Sequence, residues 1–255
     1  MRIGFAGAGN MAAAMARGWA GAEPRPEALL FTDAGSGRAM RLAQEVGGEA
    51  VSGIRELPSR SDVIVLATKP GALDAVAAEL GGEVPPLISI LAGVSLARLE
   101  EAFPGVPKLL AMPNLPVEVR RGVTCYVPPN GHEDRLSPLL ELLAELGTIV
   151  AVAEEQLEAA GAVMSCSPAY VALVSEALAR AGEREGLDSR LAHEVVVDAL
   201  AGTAELLRSR DPEAIRRAVA SPGGATEAGL EALAERDLEA AVHEAVEASL
   251  ERMRQ

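Results

Sequence analysis

Aromatic residues are scarce in this chain: three Phe, two Tyr and one Trp amount to 2% of 255 residues. That is too few rings for a platform that stacks successive bases or sugars. Lysine is rarer still, with Lys69 and Lys108 alone among 23 basic residues; a G+C-rich coding bias accounts for the arginine excess. No basic run offsets the 37 Asp and Glu, and the net charge is −14. An acidic surface of this kind repels nucleic acid and anionic membranes, so neither is an expected partner. Two cysteines, Cys125 and Cys166, give no disulfide framework and no metal-ligand spacing, and no metal is expected. No uninterrupted apolar stretch reaches bilayer-spanning length. A strand that starts at residue 2 leaves no room for a signal peptide, so the expected location is cytoplasmic.

What is present is apolar: 49% of the residues, in a chain long enough for two packed domains. Residues 2–6 form a short apolar strand. It runs into Gly7-Ala8-Gly9-Asn10-Met11-Ala12 and then an alanine-rich helix to about Ala20. A G-x-G-x-x-A pattern between strand and helix is the context of a dinucleotide pyrophosphate site. Gly7 makes the tight turn, Gly9 lets the phosphates approach, and Ala12 lets the helix pack on the strand. A second strand, 28–32, ends at Asp33, about where an acid holds the ribose diol of the cofactor. Ser36 and Arg38 follow, and a hydroxyl beside an arginine equally suits a 2′-phosphate, so NADPH or NADH is expected. Met11 is a core residue or lies over the nicotinamide pocket.

Strands and helices then alternate. Helices are expected at 37–46, 72–80, 96–102 and 138–146, with strands at 63–68, 87–91, 108–112, 122–127 and 148–152. This is an α/β pattern, a doubly wound, mostly parallel sheet of Rossmann type. Its carboxyl edge collects the glycine loop with Thr68, Lys69, Pro70, Ala92 and Asn114. From about residue 154 no strand is expected, only helices at 168–186, 190–208, 212–220, 226–235 and 238–254. The boundary therefore falls between a dinucleotide-binding domain, 1–152, and an all-α domain, 153–255. The helix near 191–207 is apolar around much of its circumference, which suggests packing against a second copy of the chain.

Near the end stands Ser221-Pro222-Gly223-Gly224-Ala225-Thr226. Proline fixes φ, and two glycines let backbone close around a small ligand. The helix that follows offers bare N–H groups suited to a carboxylate, and Thr226 adds a hydroxyl. The plain alternative is an interhelical loop with a proline start signal.

Taken together, these segments resemble the pyrroline-5-carboxylate reductase family from end to end. The resemblance rests on the glycine loop, Lys69-Pro70, Met112-Pro113-Asn114 with Pro116, residues 165–170, and above all 221–226 with Gly229-Leu230. It implies reduction of 1-pyrroline-5-carboxylate to L-proline, the last step of proline biosynthesis, by hydride transfer from NADPH or NADH to a cyclic imine. It also implies a helical domain that interlocks into a homodimer, often within a larger ring. Ser221, Gly223, Gly224, Ala225 and Thr226 would hold the substrate, with the Thr226 hydroxyl facing the ring nitrogen as the catalytic group; Asn114 is a further candidate. The implied cofactor contacts are Gly7, Gly9, Asn10, Met11, Asp33, Ser36, Arg38, Thr68, Lys69, Pro70 and Ala92.

Three departures from the family pattern stand out. One glycine is missing in Ser165-Cys166-Ser167-Pro168, Leu110 replaces a usual arginine, and Leu115 replaces a usual threonine. They keep open a dinucleotide-binding regulator that has lost turnover. A β-hydroxyacid dehydrogenase shares the domain plan but relies on a helix lysine, and no lysine follows Lys108. His132, His193 and His243 are scattered and read as surface or structural residues.

Overall fold

The computed structural model describes residues 1–129 and 131–254. They divide into two compact units, one of 1–166 with the chain end from Leu250, the other of 167–249.

The first unit is built on one eight-stranded sheet of order β3-β2-β1-β4-β5-β6-β7-β8. The strands are β1 (Arg2–Ala6), β2 (Ala28–Thr32), β3 (Glu49–Ala50), β4 (Val63–Leu66), β5 (Leu87–Ser89), β6 (Lys108–Pro113), β7 (Gly122–Tyr126) and β8 (Gly147–Ala151). Only the β6–β7 pair is antiparallel. Helices α1 (Asn10–Ala20), α2 (Arg38–Val46), α3 (Leu57–Arg60), α4 (Leu73–Leu80), α5 (Leu96–Ala102), α6 (Glu133–Ala144) and α7 (Leu157–Met164) complete it.

The strands read as unbroken apolar runs because both faces are covered. In β4, all four residues are fully buried. Ile3, Phe5, Val63 and Val65 face one core with Trp19 of α1 and Leu142 of α6. Ile64, Leu66, Leu73 and Leu99 lie in the other. Trp19 sits 5.9 Å from the Phe5 ring and donates its indole N–H to the Leu142 carbonyl at 2.9 Å. The polar tip of the largest core side chain is thus satisfied while the ring is sealed from water.

Four elements differ from expectation; two of them, the two-residue strand β3 and the four-residue helix α3, had no counterpart among the expected elements. Helix α6 starts at Glu133, five residues before Pro138, which lies inside it. Glu133 and Asp134 in the first turn favour that start, and the proline removes one hydrogen bond without stopping the helix. Helix α7 was not foreseen. Gly161 in its middle weakens the helical pattern, yet a β-carbon there would overlap the Met112 sulfur, so the glycine is what lets α7 lie on β6. Because Leu157 and Ala162 are buried against the sheet unit, the compact division falls at Cys166, after α7.

After β8 the described residues form only helices and turns. The second unit contains α8 (Ser167–Arg184), α9 (Ser189–Leu206), α10 (Pro212–Val219) and α11 (Ala225–Glu235), and most of α12 (Leu238–Met253). Tyr170 of α8 shares a 2.6 Å hydrogen bond with Ser249 Oγ of α12 and donates to the Ala245 carbonyl. Yet the unit encloses little core: in α9 only Ala192 is buried, while Val171, Leu173, Leu178, Val195 and Leu207 are exposed. Residues 154–184 are apolar enough, by length and composition, to cross a membrane. The helical run breaks at Ser165, however, and its first half, α7, packs on the sheet.

Candidate functional site

The ends of four parallel strands stand in register: Ala6 pairs with Thr32 and Leu66, and Leu66 with Ser89. Strand order reverses at β1, so a crevice opens between β1 and β4 at their carboxyl ends. Gly7 turns there with φ +111°, and a β-carbon on it would lie 2.6 Å from the Ala67 carbonyl oxygen. Gly9 faces open space, where a β-carbon would meet only that oxygen, at 3.9 Å. Among the described residues no side chain caps α1, so its first N–H groups are open to an anion. Ala12 is buried, and Met11 is half-buried against the core.

A cleft of about 360 Å³ adjoins this loop, lined by Gly7, Thr32, Asp33, Ile54 and Thr68 among others. The Thr68 hydroxyl is buried without a hydrogen-bond partner among the described residues. An orphaned hydroxyl, an open glycine cradle and an uncapped helix at one crevice fit a dinucleotide. Lys69 and Pro70 are exposed beside it, and Ala92 is exposed in the turn after β5.

Asp33 is already engaged. Its carboxylate accepts from the Gly35 N–H at 2.9 Å, the Ser36 hydroxyl at 2.8 Å and the Ala39 N–H at 2.9 Å. The Ala39 amide above all, then Ser36 and Gly35, hold Asp33 below the usual carboxylate range. Arg38 is exposed, and its side chain has no ion pair among the described residues.

Asn114 is also engaged, and is 7% exposed. Its Oδ1 accepts from the Val123 N–H at 2.8 Å, and its Nδ2 donates to the Met164 carbonyl at 3.1 Å. The Ser165 hydroxyl donates to the Pro113 carbonyl at 3.4 Å. The Met-Pro-Asn turn, the start of β7 and the end of α7 are pinned together by one amide. Nothing in the sequence spacing signalled Met164 or Val123 as its partners. Leu110 is buried in a second cleft, of about 460 Å³, with Leu91, Met112, Glu154 and Glu158.

The 221–226 loop belongs to the second unit. Gly223 has φ +71°, and a β-carbon on Gly224 would lie 2.9 Å from the Ser221 carbonyl oxygen, so each glycine has its own reason. Gly224 starts α11 with no side-chain cap, and Thr226 is exposed in the first turn. One residue went unforeseen: Glu227 reaches back to accept from the Gly223 N–H at 2.6 Å. Its place in the first turn of α11 was the available signal. Of the histidines, His243 pairs with Glu247, and His132 precedes α6 in the left-handed region. Among the described residues, no group of three His, Cys, Asp or Glu could hold a metal ion.

Comparison with known proteins decides the kinship. A pyrroline-5-carboxylate reductase from Synechocystis is 36% identical over 99% of this chain and 97% of its own length. The chain belongs to the pyrroline-5-carboxylate reductase family. The Thermus thermophilus member is 34% identical, covering 99% of this chain and 97% of the relative. Residues 154–255 match the family's "pyrroline-5-carboxylate reductase dimerisation" model, and residues 2–93 match "NADP oxidoreductase coenzyme F420-dependent". The solved Plasmodium falciparum pyrroline carboxylate reductase with NADP bound superposes with a TM-score of 0.89 at 28% identity, covering 100% of this chain and 97% of that one. The Streptococcus pyogenes reductase also gives 0.89 at 28%, covering 100% and 98%. Membership in a family with a dimerisation region accounts for the exposed apolar helices: the chain associates with copies of itself.

Proposed function

We propose that this chain reduces 1-pyrroline-5-carboxylate to L-proline with NADPH or NADH. The observation that carries this reading is the end-to-end match to reductases of that name, over a chain with an open dinucleotide crevice. The cofactor, when bound, supplies the hydride to an imine carbon that is already electrophilic. The rest asks little of side chains, which explains why no polar catalytic cluster is needed.

In this reading Gly7, Gly9, Asn10 and Met11 bring backbone to the pyrophosphate. Asp33, Ser36, Arg38 and Thr68 line the adenosine end, with Lys69, Pro70 and Ala92 along the edge. Ser221, Gly223, Gly224 and Ala225 enclose the substrate carboxylate at the start of α11, where it displaces Glu227 from the Gly223 N–H. The Thr226 hydroxyl hydrogen-bonds the ring nitrogen as it becomes an amine, and so acts as the catalytic residue. Residues 1–152 would carry the cofactor, and 153–255 the substrate loop and a homodimer contact. Asn114, with both ends of its amide engaged, fits a positioning role better than a substrate contact. We also place the protein in the cytoplasm, acting on a small molecule without nucleic acid or membrane.

The test is cofactor oxidation by the full-length protein with pyrroline-5-carboxylate. Turnover yielding proline supports the reading. Cofactor binding without turnover would make the chain a dinucleotide-binding regulator.

A further inference from the structure

The family comparison leaves open which nicotinamide cofactor this chain selects, and the adenosine end of the crevice bears on that choice. The cleft beside Gly7 has two charged residues in its lining, Asp33 and Glu79; no lysine or arginine lines it. The cofactor forms differ only at the ribose 2′ position, where NADPH carries a phosphate of roughly −1.5 to −2 charge at neutral pH. That group would enter a cleft whose fixed charges are both negative.

Sequence alone leaves Asp33 free to turn away, with Ser36 and Arg38 as the phosphate grip. The structure removes two parts of that arrangement. Asp33 is held by the three hydrogen bonds described above, and one of them, to the Ala39 N–H, satisfies the first turn of α2. Turning away would break all three. The same contact puts a carboxylate where a phosphate would use that helix start. Ser36, for its part, has one hydroxyl hydrogen, and it is donated to Asp33. Its oxygen faces the Arg38 N–H at 3.4 Å. What is left for a phosphate is Arg38 and, one turn on, Arg41, whose Nη1 lies beside Gly37; both are long exposed side chains that must be ordered to bind and are screened by salt. A carboxylate has about four acceptor positions, and three are filled, which leaves one for a ribose hydroxyl.

We infer that Asp33, fixed against α2 and Ser36, makes this chain select NADH over NADPH. The inference rests on the dinucleotide reading and adds the identity of the preferred cofactor. It sets this chain apart from the Plasmodium relative solved with NADP.

The test is equilibrium titration of the full-length protein with each reduced cofactor, without substrate. NADH is expected to bind at least about tenfold more tightly at low ionic strength, because the discrimination is between charges. Added salt should narrow the ratio. Asp33→Asn and Asp33→Ser should each improve NADPH binding by about tenfold relative to NADH, with circular dichroism confirming that they fold. Equal or tighter binding of NADPH by the unmodified protein overturns the inference, and needs no variant. A ratio unmoved by both folded substitutions removes Asp33 as its cause. Binding of neither cofactor overturns the dinucleotide reading itself, and this inference with it.

Discussion

Replacing Asn114 by alanine separates two roles that sequence left open, substrate contact and positioning. The side chain is buried, and its amide joins β6 to the Val123 N–H and the Met164 carbonyl. Alanine leaves the Val123 N–H without a partner and takes one donor from the Met164 carbonyl, in a site closed to water. The orphaned N–H costs about 1–3 kcal/mol and the lost bond to the carbonyl about 1 kcal/mol, so the variant should lose about 2–4 kcal/mol. For a chain of this size each kcal/mol lowers the melting temperature by about 2–4 °C, which puts the drop near 4–16 °C. Asn114→Asp should fare no better: it keeps an acceptor for Val123 but sets a carboxylate against the Met164 carbonyl. The turn at Met112-Pro113 would then shift, and misplacement of about 1 Å can lower kcat by up to about a hundredfold. Melting curves and steady-state kinetics on the same preparation decide it. An unchanged melting temperature with a KM for the imine raised tenfold or more would refute positioning and make Asn114 a substrate ligand.

Thr226→Val should lower kcat by about 10- to 100-fold with cofactor affinity unmoved, since one hydrogen bond to the developing amine is worth about 1–3 kcal/mol; kinetics and cofactor titration check it, and full turnover would make the hydroxyl incidental. Light scattering at micromolar concentration should show no monomer, because the exposed residues of α8, α9 and α12 need an obligate interface of about 2,000 Å² or more. A fragment of residues 1–166, which keeps α7 on the sheet where a cut at 152 would strip it, should bind cofactor in titration yet show no reductase activity.

The sheet was legible because its strands are short apolar runs closed by turn residues, and the glycine loop because Gly7 and Gly9 occur in the one context that gives them meaning. Strand limits such as Ala28–Thr32 follow from sequence alone. Helix α7 was hidden by Gly161, whose purpose is the sulfur of Met112, a residue 49 positions away that no local pattern reveals. The start of α6 was misjudged because proline usually opens helices, while the acidic pair before it settled the start here. Asp33 and Asn114 were both found as residues, but the hydrogen bonds that already engage them were not. Whether a polar side chain is free depends on which backbone groups the turn brings to it, and spacing does not give that. The apolar girth of the C-terminal helices was the reverse case: sequence called for a partner that a single chain cannot supply.

The ligands of this reading, a dinucleotide and an imino acid, are both anions, and the chain has a net charge of −14 with two lysines. Its overall field therefore opposes binding, and the attraction must be local. Backbone N–H groups at helix starts supply it without a basic side chain. Its helix starts differ, and a bare start is not by itself a ligand site: α3, α4, α6 and α7 also begin with no side-chain cap. Ser95, Asp188 and Asp211 close α5, α9 and α10 by accepting from their first-turn N–H groups. Gly9 begins α1 with no side-chain cap, where the reading puts phosphate, and Gly224 begins α11 the same way, with Glu227 on the preceding Gly223 N–H, where it puts carboxylate. Gly37 begins α2 in the same way, but there Asp33 arrives from the end of β2 to fill the position. At α2, then, the anion is an internal one. A 2′-phosphate would then compete with a carboxylate the fold has already tied down, whereas a ribose hydroxyl can join it.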